Sequence, residues 1–182
     1  MDSPAPRRIV IFGPESTGKT TLAGGLAGRF GESWSSEYVR RFWDEHGGRI
    51  GASDLEAIGR GQVAAEDAAE RSARRAVFCD TDLLTCTLWN DLLFPGCCPP
   101  WEREEAELRA RRTALYLLCL TDVPFLPDPQ RCFPDAEGRA MCMRLWKQTL
   151  VERSLPFVEI GGPWPARLGL AVNAVEALLG RP

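Results

Sequence analysis

Near the amino terminus, eight consecutive residues have the types and spacing needed to hold phosphate. They are Gly13, Pro14, Glu15, Ser16, Thr17, Gly18, Lys19 and Thr20, and they match G-x-x-x-x-G-K-[ST]. The glycines let backbone N–H groups turn inward around a phosphate, and a following helix adds partial positive charge. Lys19 then reaches the β- and γ-phosphates, and the Thr20 hydroxyl can ligate Mg²⁺. The pattern predicts a P-loop that binds a nucleoside triphosphate, with Thr21 as a further contact.

Two carboxylates, Asp80 and Asp82, come directly after the apolar run 76–79. The carboxyl ends of buried strands are the edge at which open α/β sheets bind ligands. One carboxylate there can hold Mg²⁺, and the other can orient and deprotonate an acceptor hydroxyl. We assign Asp80 as the base and place Asp82, with Thr20, near the metal. The opposite assignment, with Asp82 as the base and Asp80 near the metal, remains open. Either aspartate could instead be the N-cap of a helix that begins at Leu83.

The class of P-loop protein is narrowed by a shortage of lysine. Only Lys19 and Lys147 occur in the chain. A guanine-reading Asn-Lys-x-Asp motif would need Lys147, which is flanked by Trp146 and Gln148. A GTPase switch is therefore disfavoured.

The overall composition is typical of a globular enzyme and excludes other classes. A formal net charge of -3 and a pI near 5.3 argue against a nucleic-acid partner. The seven cysteines include no C-x-x-C pair, so neither a disulfide framework nor a zinc site is predicted. The amino terminus lacks the apolar stretch of a signal peptide, and the longest apolar run, residues 114–120, is too short for a bilayer. We expect a cytoplasmic protein without a membrane partner.

Short apolar runs alternate with helical patterns along the chain. Residues 9–12, 76–79, 114–120 and 157–160 read as buried strands, and a weaker strand is expected near Trp34. Apolar residues at helical spacing follow the first strand and fill the carboxyl-terminal segment. This β-α-β order predicts a doubly wound α/β fold, with a mostly parallel sheet and helices on both faces.

The chain is expected to form one domain, residues 1–182, with residues 1–7 as a flexible tail. Residues 94–100 read as a loop before a charged helix, in which Glu105/Arg109 and Glu107/Arg111 have i,i+4 spacing. That helix is expected to present a solvated face.

Five motifs in order give the chain a resemblance to a known family. The chain resembles the ribosylnicotinamide kinase domain of NadR-type proteins and their single-domain relatives, from about Arg8 to Leu179. The motifs are GPESTGKTTL, Glu37-Tyr38-Val39-Arg40, Gly61-Gln62, Cys79-Asp80-Thr81-Asp82 and Pro127-Asp128-Pro129-Gln130-Arg131.

The resemblance implies a P-loop kinase fold with five parallel strands. It implies ATP and Mg²⁺ as cofactors and phosphorylation of a nucleoside-like small molecule, nicotinamide riboside, to nicotinamide mononucleotide. It also implies a mobile lid at residues 124–134, whose Arg131 closes on the phosphates, and a place near the adenine for Gly162 and Arg167. A rigid surface connector is the alternative for this proline-rich segment.

One departure from the family bears on the acceptor. Aromatic side chains sandwich the pyridine ring in the family, one directly before the Glu-Tyr pair and one on the helix ahead of the acidic strand. Here Ser36 takes the first place and residues 62–75 contain no aromatic residue. Trp34, Tyr38 and Trp89 could substitute, because stacking needs only a flat apolar face. Our candidates for substrate contacts are Tyr38, Arg41, Asp82, Trp89 and Asp128.

Two other functions stay open at this point. One is a kinase for a different nucleoside or ribosylated metabolite. The other is a non-enzymatic sensor that hydrolyses ATP slowly and signals by lid closure. The oligomeric state is not predicted.

Overall fold

The structure, a computed structural model, describes residues 5–180 and contains a five-stranded parallel sheet. The strand order is β2-β3-β1-β4-β5. The strands are β1 (Arg7–Phe12), β2 (Ser33–Ser35), β3 (Ala76–Asp80), β4 (Leu115–Cys119) and β5 (Phe157–Ile160). The predicted strands are confirmed with small shifts at their ends. β1 lies in the middle of the sheet, with β3 and β2 on one side of it and β4 and β5 on the other, as in doubly wound folds.

Seven α-helices connect and cover these strands within the described residues. They are α1 (Lys19–Phe30), α2 (Tyr38–Glu45), α3 (Leu55–Ser72), α4 (Leu83–Leu93), α5 (Pro100–Arg112), α6 (Ala136–Glu152) and α7 (Trp164–Leu179). A single 3-10 turn, Ala52–Asp54, precedes α3. Between residues 5 and 180, no helix has the length and apolar character needed to cross a membrane.

The sheet divides the core into two layers because successive strand residues point to opposite faces. On one face, Val10 and Phe12 of β1 pack with residues of α3 to α6, including Trp146. On the other face, Ile9 and Ile11 pack with residues of α1 and α7. Helices therefore cover both faces, as the doubly wound interpretation predicts.

The amino-terminal tail is shorter than expected. Residues 1–4 lie outside the described residues, but Arg7 already belongs to β1, and its backbone N–H donates to the carbonyl of Arg75 at 2.8 Å. The prediction of a tail through residue 7 is therefore wrong at its last residue, because β1 gains a backbone pairing there.

The expectation of a wholly solvated face on α5 is also wrong. Arg109 is only 6% exposed and pairs with Glu66 and Asp67 of α3 as well as with Glu105. Glu66, which is fully buried, also accepts from Arg8 of β1 at 2.6 Å. A buried charge is retained only when it is paired in this way. The ion network ties α3 and α5 to the first strand.

Candidate active site

The P-loop joins β1 to α1 and has the backbone that its glycines predict. Gly13 has φ of 142°, and a Cβ there would lie 2.8 Å from the carbonyl oxygen of Cys119. Ser16 and Gly18 also have positive φ values, 56° and 80°. Such a turn directs successive N–H groups to one side, where a phosphate can sit at the helix amino terminus.

The functional side chains of the loop are held within this turn. Lys19 is 9% exposed, and its Nζ donates to the carbonyl oxygen of Pro14 at 2.9 Å. The Thr17 hydroxyl donates to the same carbonyl at 2.8 Å. The Lys19 ammonium group therefore already lies over the turn that would surround a phosphate.

Asp80, the last residue of β3, is bonded to the P-loop helix. Its Oδ2 accepts from the Thr20 hydroxyl at 2.6 Å, and its buried Oδ1 has no partner among the described residues. Burial, together with the nearby carboxylate of Glu37, raises the pKa of Asp80 to about 6. A buried, unpartnered carboxylate oxygen beside a hydroxyl is a fitting pair of hard donors for Mg²⁺.

The described residues contain no cluster of three or more acidic, histidine or cysteine side chains suited to a metal ion. A lone carboxylate and hydroxyl agree with the usual Mg²⁺ arrangement in nucleotide enzymes, in which phosphates and water supply the remaining ligands.

Asp82 does not take the place expected of it. It is the N-cap of α4, and its Oδ1 accepts from the backbone N–H and the hydroxyl of Thr85, both at 3.0 Å. Its Oδ2 accepts from the Tyr116 hydroxyl at 2.9 Å, and the residue is 2% exposed. Because both oxygens are used internally and Asp82 lines no part of the cavity described next, its assignment as a metal and substrate contact is corrected to a capping role.

A cavity of about 730 Å³ opens beside the P-loop and has two ends of different character. The P-loop end is lined by residues 15–21, Leu126, Arg131, Trp164 and Arg167. The aromatic end is lined by Trp43, Leu55, Ile58, Trp89, Asn90 and Phe94. The second end is mostly apolar with a few polar groups, which is typical of a small-molecule site.

The aromatic end contains one predicted aromatic residue and one that was missed. Trp89 lines the cavity and packs on Trp146, with ring centroids 4.8 Å apart. Trp43 of α2 lines it as well, although it was not among the candidates. Its signal was available, because Trp43 lies three residues after Arg40 on α2, a spacing that places both on one face of the helix.

The other aromatic candidates lie elsewhere. The Tyr38 ring fills the space above Gly61, where an added Cβ would be only 2.0 Å from a ring carbon. Tyr38 does not line the cavity, so its assignment as a substrate contact is corrected to packing between α2 and α3. Trp34 lies on edge strand β2 and is 38% exposed.

The α2 arginine that faces the cavity is Arg40, not Arg41. Arg41 pairs with Glu45 at 2.7 Å, its side chain is 72% exposed, and it lines only a shallow outer depression. Arg40 lines the cavity and donates to Glu37 at 3.2 Å and to Asp128 at 3.3 Å. The assignment of Arg41 is therefore corrected, since neighbouring residues on a helix point about 100° apart.

Glu37 is a second residue that the sequence interpretation missed. It follows β2, which pairs with β3, so it lies at the same sheet edge as Asp80. Glu37 lines both the cavity and the outer depression that contains Asp80. The weak three-residue strand before it was the available signal, because a residue just beyond a parallel strand belongs to the ligand edge.

Residues 124–134, the lid, lie across the P-loop without regular secondary structure. Glu15 accepts from the backbone N–H groups of Cys132 and Phe133, at 2.9 and 2.6 Å. The Ser16 hydroxyl accepts from the Leu126 N–H at 2.8 Å and from Arg131 at 3.2 Å. Arg131 thus contacts the P-loop through Ser16.

Asp128, a predicted substrate contact, lies at the margin of the lid. Its Oδ2 accepts from Arg40 and its Oδ1 from the Gln130 N–H at 2.9 Å. It does not line the cavity, so its assignment is corrected to a link between the lid and α2.

Of the two residues beyond β5 that were expected near the adenine, Arg167 lines the cavity and Gly162 does not. Arg167 is 3% exposed and donates to the carbonyl oxygens of Thr17 at 3.1 Å and of Gly162 at 2.8 Å. It lines the P-loop end, whereas Gly162 does not. Trp164, which was not predicted, lies between them in sequence and lines the same end.

Together, the fold and the phosphate-binding site define a nucleotide-binding domain of the P-loop α/β class. A family model described as an AAA domain matches residues 8–167, and the chain belongs to that family. The predicted P-loop fold is thereby confirmed.

The predicted likeness to NadR-type proteins is confirmed as well. The chain is 27% identical over 184 residues to the trifunctional NAD biosynthesis/regulator protein NadR of Salmonella typhimurium strain LT2. The alignment covers 96% of this chain and 43% of that protein. The chain therefore spans less than half the length of this relative.

Solved structures share the fold. A NadR protein in complex with NR has a TM-score of 0.78 at 23% identity, covering 98% of this chain and 53% of the other. Deoxyadenosine kinase from M. mycoides with bound dATP has a TM-score of 0.61 at 10% identity, with coverages of 93% and 99%.

Proposed function

We propose that this chain is an ATP-dependent kinase that transfers the γ-phosphoryl group to a ribosyl hydroxyl of nicotinamide riboside. The observation that carries the proposal is the cavity itself, which joins a P-loop to an aromatic chamber. Glu37 lines this cavity and, together with Asp80, the outer depression next to it. A site that held nucleotide alone would have no use for the second chamber.

At the P-loop end, the chain's own cations stabilise the phosphoryl group in transfer. Lys19 lies over the turn of the P-loop and Arg131 contacts Ser16 of the same loop, so their charges would oppose the negative charge on the equatorial oxygens. Thr20 and Asp80 would hold Mg²⁺, which neutralises charge on the β- and γ-phosphates when bound. Because the Thr20 hydroxyl donates a hydrogen bond to Asp80, the lone pairs of the Thr20 oxygen are directed away from that carboxylate.

At the junction, the proton of the acceptor hydroxyl needs a carboxylate that faces the cavity. Asp80 accepts from Thr20 and does not line the cavity, so we assign it to the metal side. Glu37 lines the cavity and is paired only with Arg40 among the described residues. Glu37 is therefore our choice of base, and Asp80, the choice made from sequence, is the alternative.

At the aromatic end, the chemistry suits a cationic ring. Trp43 and Trp89 line this end, and an aromatic ring that meets a pyridinium gives it cation–π stabilisation that a neutral base does not receive. The NadR protein of the same fold forms a complex with NR, a ligand of this kind. The two observations support nicotinamide riboside over other nucleosides.

The test is ATP consumption and product formation with a panel of nucleosides, including nicotinamide riboside, adenosine and cytidine. Stimulation by nicotinamide riboside, with nicotinamide mononucleotide as product, is the expected result. Preferred stimulation by another nucleoside would leave a kinase with a different acceptor. Equal basal hydrolysis with every nucleoside would instead indicate the sensor and would refute the kinase.

A further inference from the structure

Asn90 places one polar group in the otherwise apolar wall of the aromatic end. It lies on the third turn of α4, is 6% exposed and lines the cavity. Its Nδ2 donates to Glu102 Oε1 at 2.9 Å and contacts Cys98 Sγ at 3.7 Å. Both amide hydrogens are thus directed away from the cavity, and no described residue bonds to Oδ1.

The orientation of this amide is dictated by Glu102. Glu102 lies in the first turn of α5 and is fully buried, and its Oε2 has no partner among the described residues. A Cβ on Gly59 would lie 2.8 Å from that oxygen, so this glycine makes room for the carboxylate. An ionised carboxylate only accepts hydrogen bonds, so Asn90 must turn its NH₂ group toward Glu102. Oδ1 is then the atom left for a ligand.

We propose that Asn90 Oδ1 accepts a hydrogen bond from the carboxamide N–H of the acceptor's pyridinium ring, with Glu102 as the positioning residue. Because this contact presupposes the proposed kinase activity, it names the feature by which that activity selects its acceptor. A riboside without the N–H leaves Oδ1 without a hydrogen-bond partner at a position with little access to water, and its kcat/KM should be lower for that reason. A ring carboxylate is rejected more strongly, since it brings negative charge toward Asn90 Oδ1 and Glu102.

The protonation state of Glu102 supplies a readout that a packing role would not. Burial raises the pKa of Glu102 to about 7. The charged groups around it are Glu56 of α3, Asp91 of α4 and Arg103 of α5. Once protonated, Glu102 can donate to Asn90 and turn the amide over, so selection for an N–H donor should weaken as the pH falls through 7.

The probes are nicotinamide riboside and 3-acetylpyridine riboside, which share the pyridinium and the carbonyl but differ by NH₂ against CH₃. We expect the wild-type chain to prefer the first by about tenfold or more in kcat/KM, mostly through KM, with the preference growing from pH 6 to 8. The ratio of the two kcat/KM values is used because an ionisation that affects the reaction of both ribosides equally does not change this ratio. Glu102→Gln keeps an acceptor oxygen and should retain the preference without its pH dependence.

Asn90→Leu should bring the ratio close to one. Because that change leaves the Glu102 carboxylate buried alone, the double change Asn90→Leu with Glu102→Leu provides a second variant that keeps no stranded charge. Glu104→Leu, at an exposed position on the same helix, is the matched control and should keep the wild-type ratio.

The results that would overturn the inference are of two kinds, according to whether nicotinamide riboside is still phosphorylated. Phosphorylation of both ribosides with equal efficiency by the wild-type chain, or a preference unchanged in the Asn90 variants, refutes the contact and leaves the kinase standing. Failure to phosphorylate either riboside refutes nicotinamide riboside as the acceptor and, with it, the contact.

Discussion

The two ends of the cavity are built from different kinds of sequence information. The P-loop end uses backbone N–H groups of consecutive residues, with Lys19 and Thr20 attached to the same turn. The aromatic end is assembled from side chains of three helices, α2, α3 and α4, that are far apart in the chain. The P-loop residues of the first end were predicted from one contiguous motif, although Trp164 was missed there, whereas the second end was predicted with the wrong arginine and one wrong aromatic residue. A site made of backbone is local, and a site made of side chains depends on how helices pack.

The largest effect is expected at the P-loop end. Lys19→Ala should lower kcat by about 10³-fold, because it removes a preorganised charge at the transferring phosphoryl group. Binding of nicotinamide riboside, measured by calorimetry without nucleotide, should be nearly unchanged if the two ends are independent. Lys147→Ala is the matched control, since Lys147 is 52% exposed and pairs with Glu159. Loss of riboside binding in Lys19→Ala would contradict the separation of the two ends.

Asp80→Asn should abolish most activity and yet stabilise the ligand-free chain. The folded-state pKa of Asp80, about 6, lies above its usual value of 3.8, so ionisation destabilises the fold at higher pH. Without nucleotide and Mg²⁺, denaturant unfolding at pH 8 should show a gain on the order of 2 kcal/mol, which shrinks at pH 5. The absence of any gain at pH 8 would argue against a buried ionised carboxylate there.

Asp82→Asn serves as the activity control for that change. Because Asp82 caps α4 instead of facing the cavity, its variant should keep kcat within about threefold of the wild type. A loss in Asp82→Asn as deep as in Asp80→Asn would restore the original assignment of Asp82 to the metal.

Arg131→Ala tests whether residues 124–134 act as a lid on the phosphates. We expect kcat to fall by about 10²-fold with little change in ATP affinity, because Arg131 acts on the charge that develops in transfer. Arg144→Ala, at an exposed position on α6, is the control. An unchanged kcat would make residues 124–134 a rigid connector.

The smallest effect is expected on α2, where adjacent arginines form a natural pair. Arg40→Ala should raise KM for the riboside by about tenfold, since it releases Glu37 and Asp128 from their shared partner. Arg41→Ala removes an exposed i,i+4 pair and should change KM by less than about twofold. Steady-state kinetics on the two variants decides which face of α2 is turned to the cavity, and equal effects would contradict the assignment.

Much of the fold could be predicted because buried parallel strands are continuous apolar runs. The four strong strands lie within a few residues of their predicted ends. The three-residue β2 has no such run, and for that reason the significance of Glu37 at its carboxyl end was missed. The spacing of Arg109 to Glu105 satisfies the helix rule and predicts a solvated face, while its buried partners on α3 are about 40 residues away in sequence.

By itself, the sequence determined the phosphate site, since a P-loop is a contiguous turn whose glycines and lysine act through local backbone geometry. It also determined the layered α/β fold, through the alternation of strand and helix patterns. Only the tertiary structure separates the two aspartates, because Asp80 and Asp82 differ in their neighbours: the Thr20 hydroxyl for one, Thr85 and Tyr116 for the other. It likewise decided that Asn90 presents an oxygen to the cavity, since that orientation comes from Glu102, a residue on another helix.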